Sequence, residues 1–339
     1  MELDFPAPDL PDDPDVIVIG SENGLGKTSV LECCALSLRF GKGNESHPKV
    51  RVMTELVDLL VRAGQPRTLI ESIYADDRTV SLMISEKVAQ SEGADFAPTP
   101  LNNGDLIITY DGGDAVAIET SKTPPGLDFI SKICGFSPNP IIEDNLLFFH
   151  SYRKVAEGNL RFGTLLNGKH SSNGNNTEPL ASIFKRTALF SMMSSADLFD
   201  SPKDPDVHRT LEKLNYLLGL YAGCRFAKLR QTENDSLELR VQPVGVSETF
   251  NFDGLSSGQK EIITTLFLIW YETRNQSKIV LIDEPELHLN SQWHRSFVNS
   301  LVELAPKNQY IIATHSATVM DSVDRNRRIL LQKDKEGGQ

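Results

Sequence analysis

Nine consecutive residues, Ser21-Glu22-Asn23-Gly24-Leu25-Gly26-Lys27-Thr28-Ser29, restrict the possible folds of this chain more than any other stretch. They follow Asp15-Val16-Ile17-Val18-Ile19-Gly20, a β-branched run of the kind that forms a strand buried on both faces. They precede Val30, Leu31, Cys34, Ala35 and Leu38, which recur at helical spacing as far as Gly41, a suitable C-terminal cap. A glycine-containing loop between a buried strand and a helix turns backbone N–H groups inward and aims the helix's positive end at the same point. Such a loop cradles phosphate. The pattern G-x-x-x-x-G-K-[ST] is met except at its first position, where Ser21 stands for glycine. Gly24 and Gly26 permit the turn, Lys27 supplies a point charge for the outer phosphates, and the Thr28 hydroxyl completes a Mg²⁺ shell. Ser21, Asn23 and Ser29 complete the expected phosphate-binding set.

Three further patterns carry chemistry. In Lys278 to Asn290, KIVLIDEPELHLN, an apolar run delivers Asp283 and Glu284 to a strand end, where open α/β sheets bind ligands. Asp283 is the expected Mg²⁺ ligand, and Glu284 the group that orients or deprotonates an attacking water. By itself such a pair reads equally well as the start of a helix. Leu255-Ser256-Ser257-Gly258-Gln259-Lys260 opens a helical stretch, so a serine there serves as an N-cap whatever else it does. Thr314-His315-Ser316 follows the apolar run Tyr310 to Ala313. A lone histidine after a strand is usually a satisfied polar residue. Its place downstream of Glu284 sets this one apart.

The rest of the chain is read more coarsely. Val52 to Arg62 reads as an amphipathic helix, and Thr68 to Ala75 and Thr79 to Ser85 as strands. Asp105 to Tyr110 and Ala115 to Glu119 flank Asp111-Gly112-Gly113-Asp114 and read as a hairpin. Leu146 to Phe149 leads into His150-Ser151-Tyr152-Arg153, and residues 167–179 form a low-complexity loop. Helical patterns run through Leu180 to Phe199, Asp206 to Tyr221, Gly258 to Tyr271 and Gln292 to Leu304. Strand-like segments cover Leu237 to Val241, Glu248 to Phe252, Lys278 to Asp283, Tyr310 to Thr314 and Arg328 to Gln332. The expected fold is α/β, with a mostly parallel core sheet, an antiparallel β-subdomain and an inserted helical lobe. One domain is expected over 1–339: a first part at 1–150, a mainly helical insertion at 151–255, and a closing part at 256–339.

Charge and composition remove several classes of function. The 339 residues carry 34 Lys+Arg against 46 Asp+Glu, a net charge of −12, so the bulk field does not favour nucleic acid. Cys33, Cys34, Cys134 and Cys224 show no C-x-x-C spacing and read as buried thiols of a reducing compartment. No signal-peptide pattern opens the sequence, and its apolar runs fall short of the ~20 residues a membrane span requires. A cytoplasmic protein without membrane contact is expected. His47, His170, His208, His288 and His294 form no metal set.

With LSSGQ the chain resembles the ATP-binding-cassette superfamily, whose signature is LSGGQ; Ser257 replaces the first glycine of the pair. The four motifs stand in that family's chain order from Ser21 to Ser316. The resemblance implies two protomers that sandwich two Mg-ATP molecules. Ser256, Gly258 and Gln259 would face the partner's γ-phosphate, and His315 would sense it. About two-thirds of the chain separates Thr28 from Leu255, unlike transporter cassettes, and no heptad run suggests a coiled coil. With PELHLN, ATHSATVMDSV and FFHSYRKV, this is similar to the OLD (overcoming-lysogenization-defect) and RecF-like, SMC-related branch. That branch includes ATPases of the anti-phage systems PARIS, Septu and Gabija. It implies ATP hydrolysis, a homodimer that can enter a larger assembly, and a separate effector, a nuclease. The two dozen residues beyond His315 are too few for the nuclease domain that OLD-type proteins often carry. Asn290 replaces a frequent coupling Asp, and Tyr152 and Arg153 stand where the family's Q-loop glutamine is sought. Two other readings stay open: a DNA-repair ATPase that clamps duplex DNA, and an ATP-bound scaffold with little turnover.

Overall fold

The computed structural model describes residues 3–8, 13–21, 24–40, 60, 67–73, 79–85, 106–110, 116–117, 133, 140–151, 153, 160–161, 184–189, 205–232, 236–287 and 289–332. In chain order the elements begin with β1 (Asp15–Gly20), α1 (Lys27–Phe40), β2 (Arg67–Ile73), β3 (Thr79–Ser85), β4 (Leu106–Tyr110) and β5 (Val116–Ala117). Next come β6 (Ile141–Ile142), β7 (Leu146–Phe149), β8 (Leu160–Arg161), α2 (Pro205–Ala222), β9 (Cys224–Gln231), β10 (Ser236–Pro243) and β11 (Phe250–Asn251). The last are α3 (Ser257–Thr273), β12 (Ile279–Asp283), α4 (Ser291–Leu304), β13 (Gln309–Thr314), α5 (Ala317–Met320) and β14 (Arg328–Leu330). The chain divides into two compact units. One comprises Met1–Asn23, Pro138–Pro140 and Phe149–Gln339, the other Gly24–Ser137 and Ile141–Phe148.

In the first unit β14, β1, β13 and β12 lie side by side, every adjacent pair parallel. Their apolar runs are buried, from Val16 to Ile19, from Val280 to Ile282 and from Tyr310 to Ala313. Strands of this composition are stable only when both faces are covered. Strands β12 and β13 run in register from Ile279 opposite Gln309 to Asp283 opposite Ala313, so the residues that follow each leave the same edge of the sheet. At the opposite edge, buried Asn308 ties three elements together. Its Oδ1 accepts the Lys278 N–H at 2.9 Å, and its Nδ2 donates to Thr273 Oγ1 at 3.0 Å and to Tyr310 Oη at 3.2 Å.

The same unit holds a second, antiparallel sheet in which β10 pairs with β8, β9 and β11. The segment read as a mainly helical insertion therefore contains, besides α2 and a helical stretch at 184–189, an eight-residue strand β9 that the helical reading passed over. Its alternation is partial: Cys224 and Phe226 point inward while Arg225, Ala227 and Lys228 are exposed, which masks the period in the sequence. An aromatic core lies between this sheet and α3. The rings of Phe184 and Phe252 stack at 4.9 Å, and Phe267 meets Phe184 edge-on at 5.3 Å.

In the second unit β2, β3, β4 and β5 form an antiparallel meander, and β6 and β7 a short hairpin. Helix α1 packs on β2 and β3, and Ser72 Oγ donates to Ser37 Oγ at 2.8 Å. The predicted strands are present at 67–73 and 79–85, and β4 pairs antiparallel with β5 as the predicted hairpin requires, while its turn at 111–114 lies outside the described residues. Burial raises the Cys33 thiol to about 12, with Cys34 and Glu32 adding to the shift, and burial likewise raises Cys34 to about 12. Both thiols are free, as is Cys224. Most of the predicted helices at 52–62 and 180–199, the loop 167–179, and Asn23, Cys134, Tyr152, His47, His170 and His288 lie outside the described residues. Among the described residues no helix is long and apolar enough to cross a membrane.

Asn308→Ala is expected to lower stability by about 2–3 kcal/mol, because the Lys278 N–H loses its acceptor and the buried Thr273 and Tyr310 hydroxyls each lose a donor. Tyr310→Phe, which removes the hydroxyl that donates to the Ala305 carbonyl at 2.8 Å and accepts from Asn308 Nδ2, but leaves the Lys278 N–H its acceptor, is expected to cost about 1 kcal/mol. Midpoints of urea unfolding give both values, and equal costs would contradict the central place given to Asn308.

Candidate functional site

Each strand edge delivers its residue through backbone geometry. Asp283 ends β12 with its side chain fully buried. Glu284 then turns into the left-handed region at φ 45, rare for a residue with a side chain and costing about 1 kcal/mol or more. Three bonds hold it there. Its N–H donates to the Ala313 carbonyl of β13 at 2.8 Å, and its own carbonyl accepts from Leu287 N–H at 3.2 Å and Arg153 Nη2 at 3.2 Å. The turn carries the carboxylate across to the neighbouring strand's end, where Glu284 Oε1 lies 3.0 Å from His315 Nε2. The sequence places these two residues 31 positions apart; the in-register pairing of β12 with β13 brings them together.

Arg153 supports the turn from behind. Its Nη1 donates to the carbonyls of His150 at 2.8 Å and Asp283 at 2.7 Å, and its Nε pairs with Glu261 Oε1 at 2.9 Å, both side chains buried. Burial pulls the guanidinium below its ordinary value, while Glu261, then Asp283 and Glu286, draw it back. It remains a cation. Its contacts run to the backbone of the Asp283–Glu284 turn and to α3, which makes it a support for that turn. His150, beside it, is lowered to about 4 by burial and by the Arg153 charge, so it is neutral at pH 7.

Sequence reasoning missed Glu286 and the part played by His294. Glu286 Oε1 accepts the backbone N–H groups of His315 at 2.6 Å and Ser316 at 3.1 Å. His294 Nδ1 lies 3.1 Å from Ser316 Oγ, whose oxygen also caps α5 through Val319 N–H. The signal was Pro285-Glu286 directly after the Asp-Glu pair, which composition alone does not separate from helix-opening acids.

The signature residues divide. Ser256 caps α3 in a reciprocal box: its Oγ accepts the Gln259 N–H at 3.3 Å, and Gln259 Oε1 accepts the Ser256 N–H at 3.0 Å. Ser256 and Ser257 are exposed, whereas Gly258 is buried. The Gln259 amide donates inward to the Tyr221 carbonyl at 3.2 Å. Gln259 thus caps its own helix through its oxygen and ties it to α2 through its amide nitrogen. Exposed Asn290 caps α4 by accepting the Gln292 N–H at 3.1 Å.

Of the phosphate loop, Ser21 follows β1 in the first unit and is half-buried. In the second unit Gly24 and Gly26 adopt φ +78 and +82, and a Cβ at either would meet no atom within 4 Å. Glycine is required there by backbone conformation, with open space in front. Lys27 is buried at the start of α1, Thr28 and Ser29 are half-buried, and Val30 N–H closes the first turn on the Gly26 carbonyl at 3.0 Å. This donor set suits Mg-ATP. Two left-handed glycines before a helix N-terminus form an anion cradle, and the half-buried Thr28 hydroxyl in the same unit is a hard oxygen of the kind Mg²⁺ prefers.

Residues 142–321, more than half of the chain, match the family described as "AAA domain, putative AbiEii toxin, Type IV TA system". The chain is 24% identical over 347 aligned residues to the OLD nuclease of Thermus scotoductus; the match covers 97% of this chain and 60% of the relative. Among solved structures it is similar to an SMC head bound to the C-terminal winged-helix domain of ScpA, at 15% identity and TM-score 0.45, covering 92% of this chain and 85% of that one. It is also similar to the SMC head domain of Thermotoga maritima, at 13% identity and TM-score 0.41, covering 92% and 84%. The chain belongs to this AAA domain family.

Arg153→Ala is expected to cost about 3–5 kcal/mol, since it removes the guanidinium paired with the buried Glu261 carboxylate. The pair Arg153→Met with Glu261→Leu is expected to recover part of that, as read by urea midpoints; no recovery would refute the ion-pair account. His150 gives a pH prediction. Its value is near 6.5 unfolded and about 4 folded, so between these the unfolded chain binds the extra proton and stability falls as pH falls. The loss is of the order of 3 kcal/mol across that window. Urea midpoints at pH 7 and 4.5 should diverge less in His150→Asn than in the parent.

Proposed function

We propose that this chain binds ATP with Mg²⁺, hydrolyses it, and uses the cycle as a dimerisation switch. The observation that carries the reading is the 3.0 Å contact between Glu284 Oε1 and His315 Nε2 at two adjacent parallel strand ends, next to buried Asp283. In this reading Ser21, Asn23, Gly24, Gly26 and Ser29 surround the phosphates with backbone N–H groups, and Lys27 neutralises their outer charge. Thr28 and Asp283 would hold Mg²⁺, which would supply charge neutralisation on the triphosphate. Glu284 orients the attacking water and accepts its proton as the oxygen bonds to the γ-phosphorus. The bridging P–O bond breaks, and ADP leaves with the electron pair. His315, paired to the same carboxylate, registers the γ-phosphate. Such catalysis is positioning and charge stabilisation.

Exposed Ser256 and Ser257 at the N-terminus of α3 support presentation of the signature to a second copy's nucleotide, with buried Gly258 shaping the turn from within. A cytoplasmic homodimer, open to larger assembly, follows. Because the chain is similar to an OLD nuclease, and its family description names a toxin, we infer that the switch governs a nuclease effector in bacterial anti-phage defence. The net charge of −12 gives the DNA-clamp alternative no support.

Glu284→Gln is expected to keep ATP binding, to lower turnover by at least about 10²-fold, and to accumulate an ATP-dependent dimer on size-exclusion chromatography. Lys27→Ala is expected to lose binding. Parental phosphate release by Glu284→Gln would overturn the assignment.

A further inference from the structure

Glu286 has an arrangement that neither nucleotide binding nor helix capping requires. One carboxylate oxygen receives two consecutive backbone N–H groups, those of His315 and Ser316, at 2.6 and 3.1 Å. The other oxygen is buried and has no hydrogen-bond partner among the described residues. Capping of the short helix α5 is already done by Ser316, whose own hydroxyl oxygen accepts the Val319 N–H at 3.3 Å. His315 is exposed, so water could satisfy its N–H without a carboxylate. A charge-assisted acceptor is stronger and shorter than water. What it adds is a fixed backbone position for one residue, the histidine that must reach Glu284.

The geometry forms a bracket. Glu284 and Glu286 leave the same turn, the one that Arg153 holds by the Asp283 and Glu284 carbonyls. The first carboxylate meets the imidazole of His315, and the second meets the peptide group that carries that imidazole. Any displacement of the turn moves both contacts together. Thr314 Oγ1, accepting the Ser316 N–H at 2.9 Å, and His294 Nδ1 at Ser316 Oγ secure the far side of the loop.

We propose that Glu286 is a positioning residue which holds the His315–Ser316 backbone so that the His315 ring stays in register with Glu284. The proposal deepens the hydrolysis reading and rests on it for its kinetic consequence. It acts through another residue, and its carboxylate serves as an acceptor, so an amide oxygen at the same place can replace it.

Two measurements on the full chain test this. Hydrogen exchange of peptides spanning 313–319, read by mass spectrometry, should accelerate at least about tenfold in Glu286→Ala and stay near the parental rate in Glu286→Gln. In steady-state ATPase assays Glu286→Ala should lower kcat by about 10- to 100-fold with KM for ATP within about threefold, the signature of misplacement without lost binding. Glu286→Gln should recover most of that loss. In a His315→Ala background the Glu286→Ala change should alter kcat by less than about twofold, because the residue it positions is gone. Unchanged exchange in Glu286→Ala, a Glu286→Gln variant as slow as Glu286→Ala, or an undiminished loss in the His315→Ala background would each overturn the proposal. A parental chain that turns over no ATP would defeat the hydrolysis reading instead, and exchange alone would then decide whether Glu286 holds the loop.

Discussion

Arg153 is the side chain on which the site's geometry rests. A buried guanidinium is tolerated only where carboxylates and carbonyls surround it, and here those are the Glu261 carboxylate and the carbonyls of His150, Asp283 and Glu284. The bonds to Asp283 and Glu284 bind two successive peptide groups at the point where β12 ends. Glu284 can then occupy a left-handed conformation that a free turn would relax. Because the same guanidinium pairs with α3, the helix that begins at the signature serines is tied to the turn that carries the carboxylates. The pairing offers a physical route by which events at one could be felt at the other.

Around that anchor the polar groups divide the work by depth. Asp283 is fully buried, Glu284 and Glu286 are half-buried, and His315 is exposed. A graded edge of this kind lets one end of the sheet hold charge in a low-dielectric setting while the outermost group remains free to meet a ligand. The backbone N–H groups of the His315 loop are satisfied by a carboxylate and a hydroxyl of the protein itself, so the loop holds its shape without water. Opposite, Asn308 does the same for the strand starts with one neutral amide. The sheet is thus pinned at both edges by side chains from loops.

Much of the first unit was legible from local pattern. The apolar runs at 15–20, 279–283 and 309–314 are too short for helices and too uniformly apolar for a half-exposed strand, which leaves a buried parallel one. The capping serine at 256 and the glycines at 24 and 26 likewise announce their conformations, since each owes its role to bonds or torsions within a few residues. Strand β9 was not legible, because it follows α2 with a single glycine between them and its alternation breaks after Phe226. Its partner β10 supplies the pairing that decides its state.

The candidate site was legible as a list of residue types in order and no further. By itself the sequence determined that Asp283 would end a buried strand and that Glu284 and His315 would stand just beyond such strands, because an apolar run closed by polar residues brings them to a sheet end. It also determined the loop and helix around Lys27, through glycines that few other residues can replace. Only the tertiary structure decided that Glu284 meets His315, that Arg153 holds the turn, and that Glu286 holds the loop, since those contacts join segments 29 to 131 positions apart. Local spacing carries no information about them. They exist because β12 and β13 pair in register and because a buried cation must find its carbonyls wherever the fold brings them.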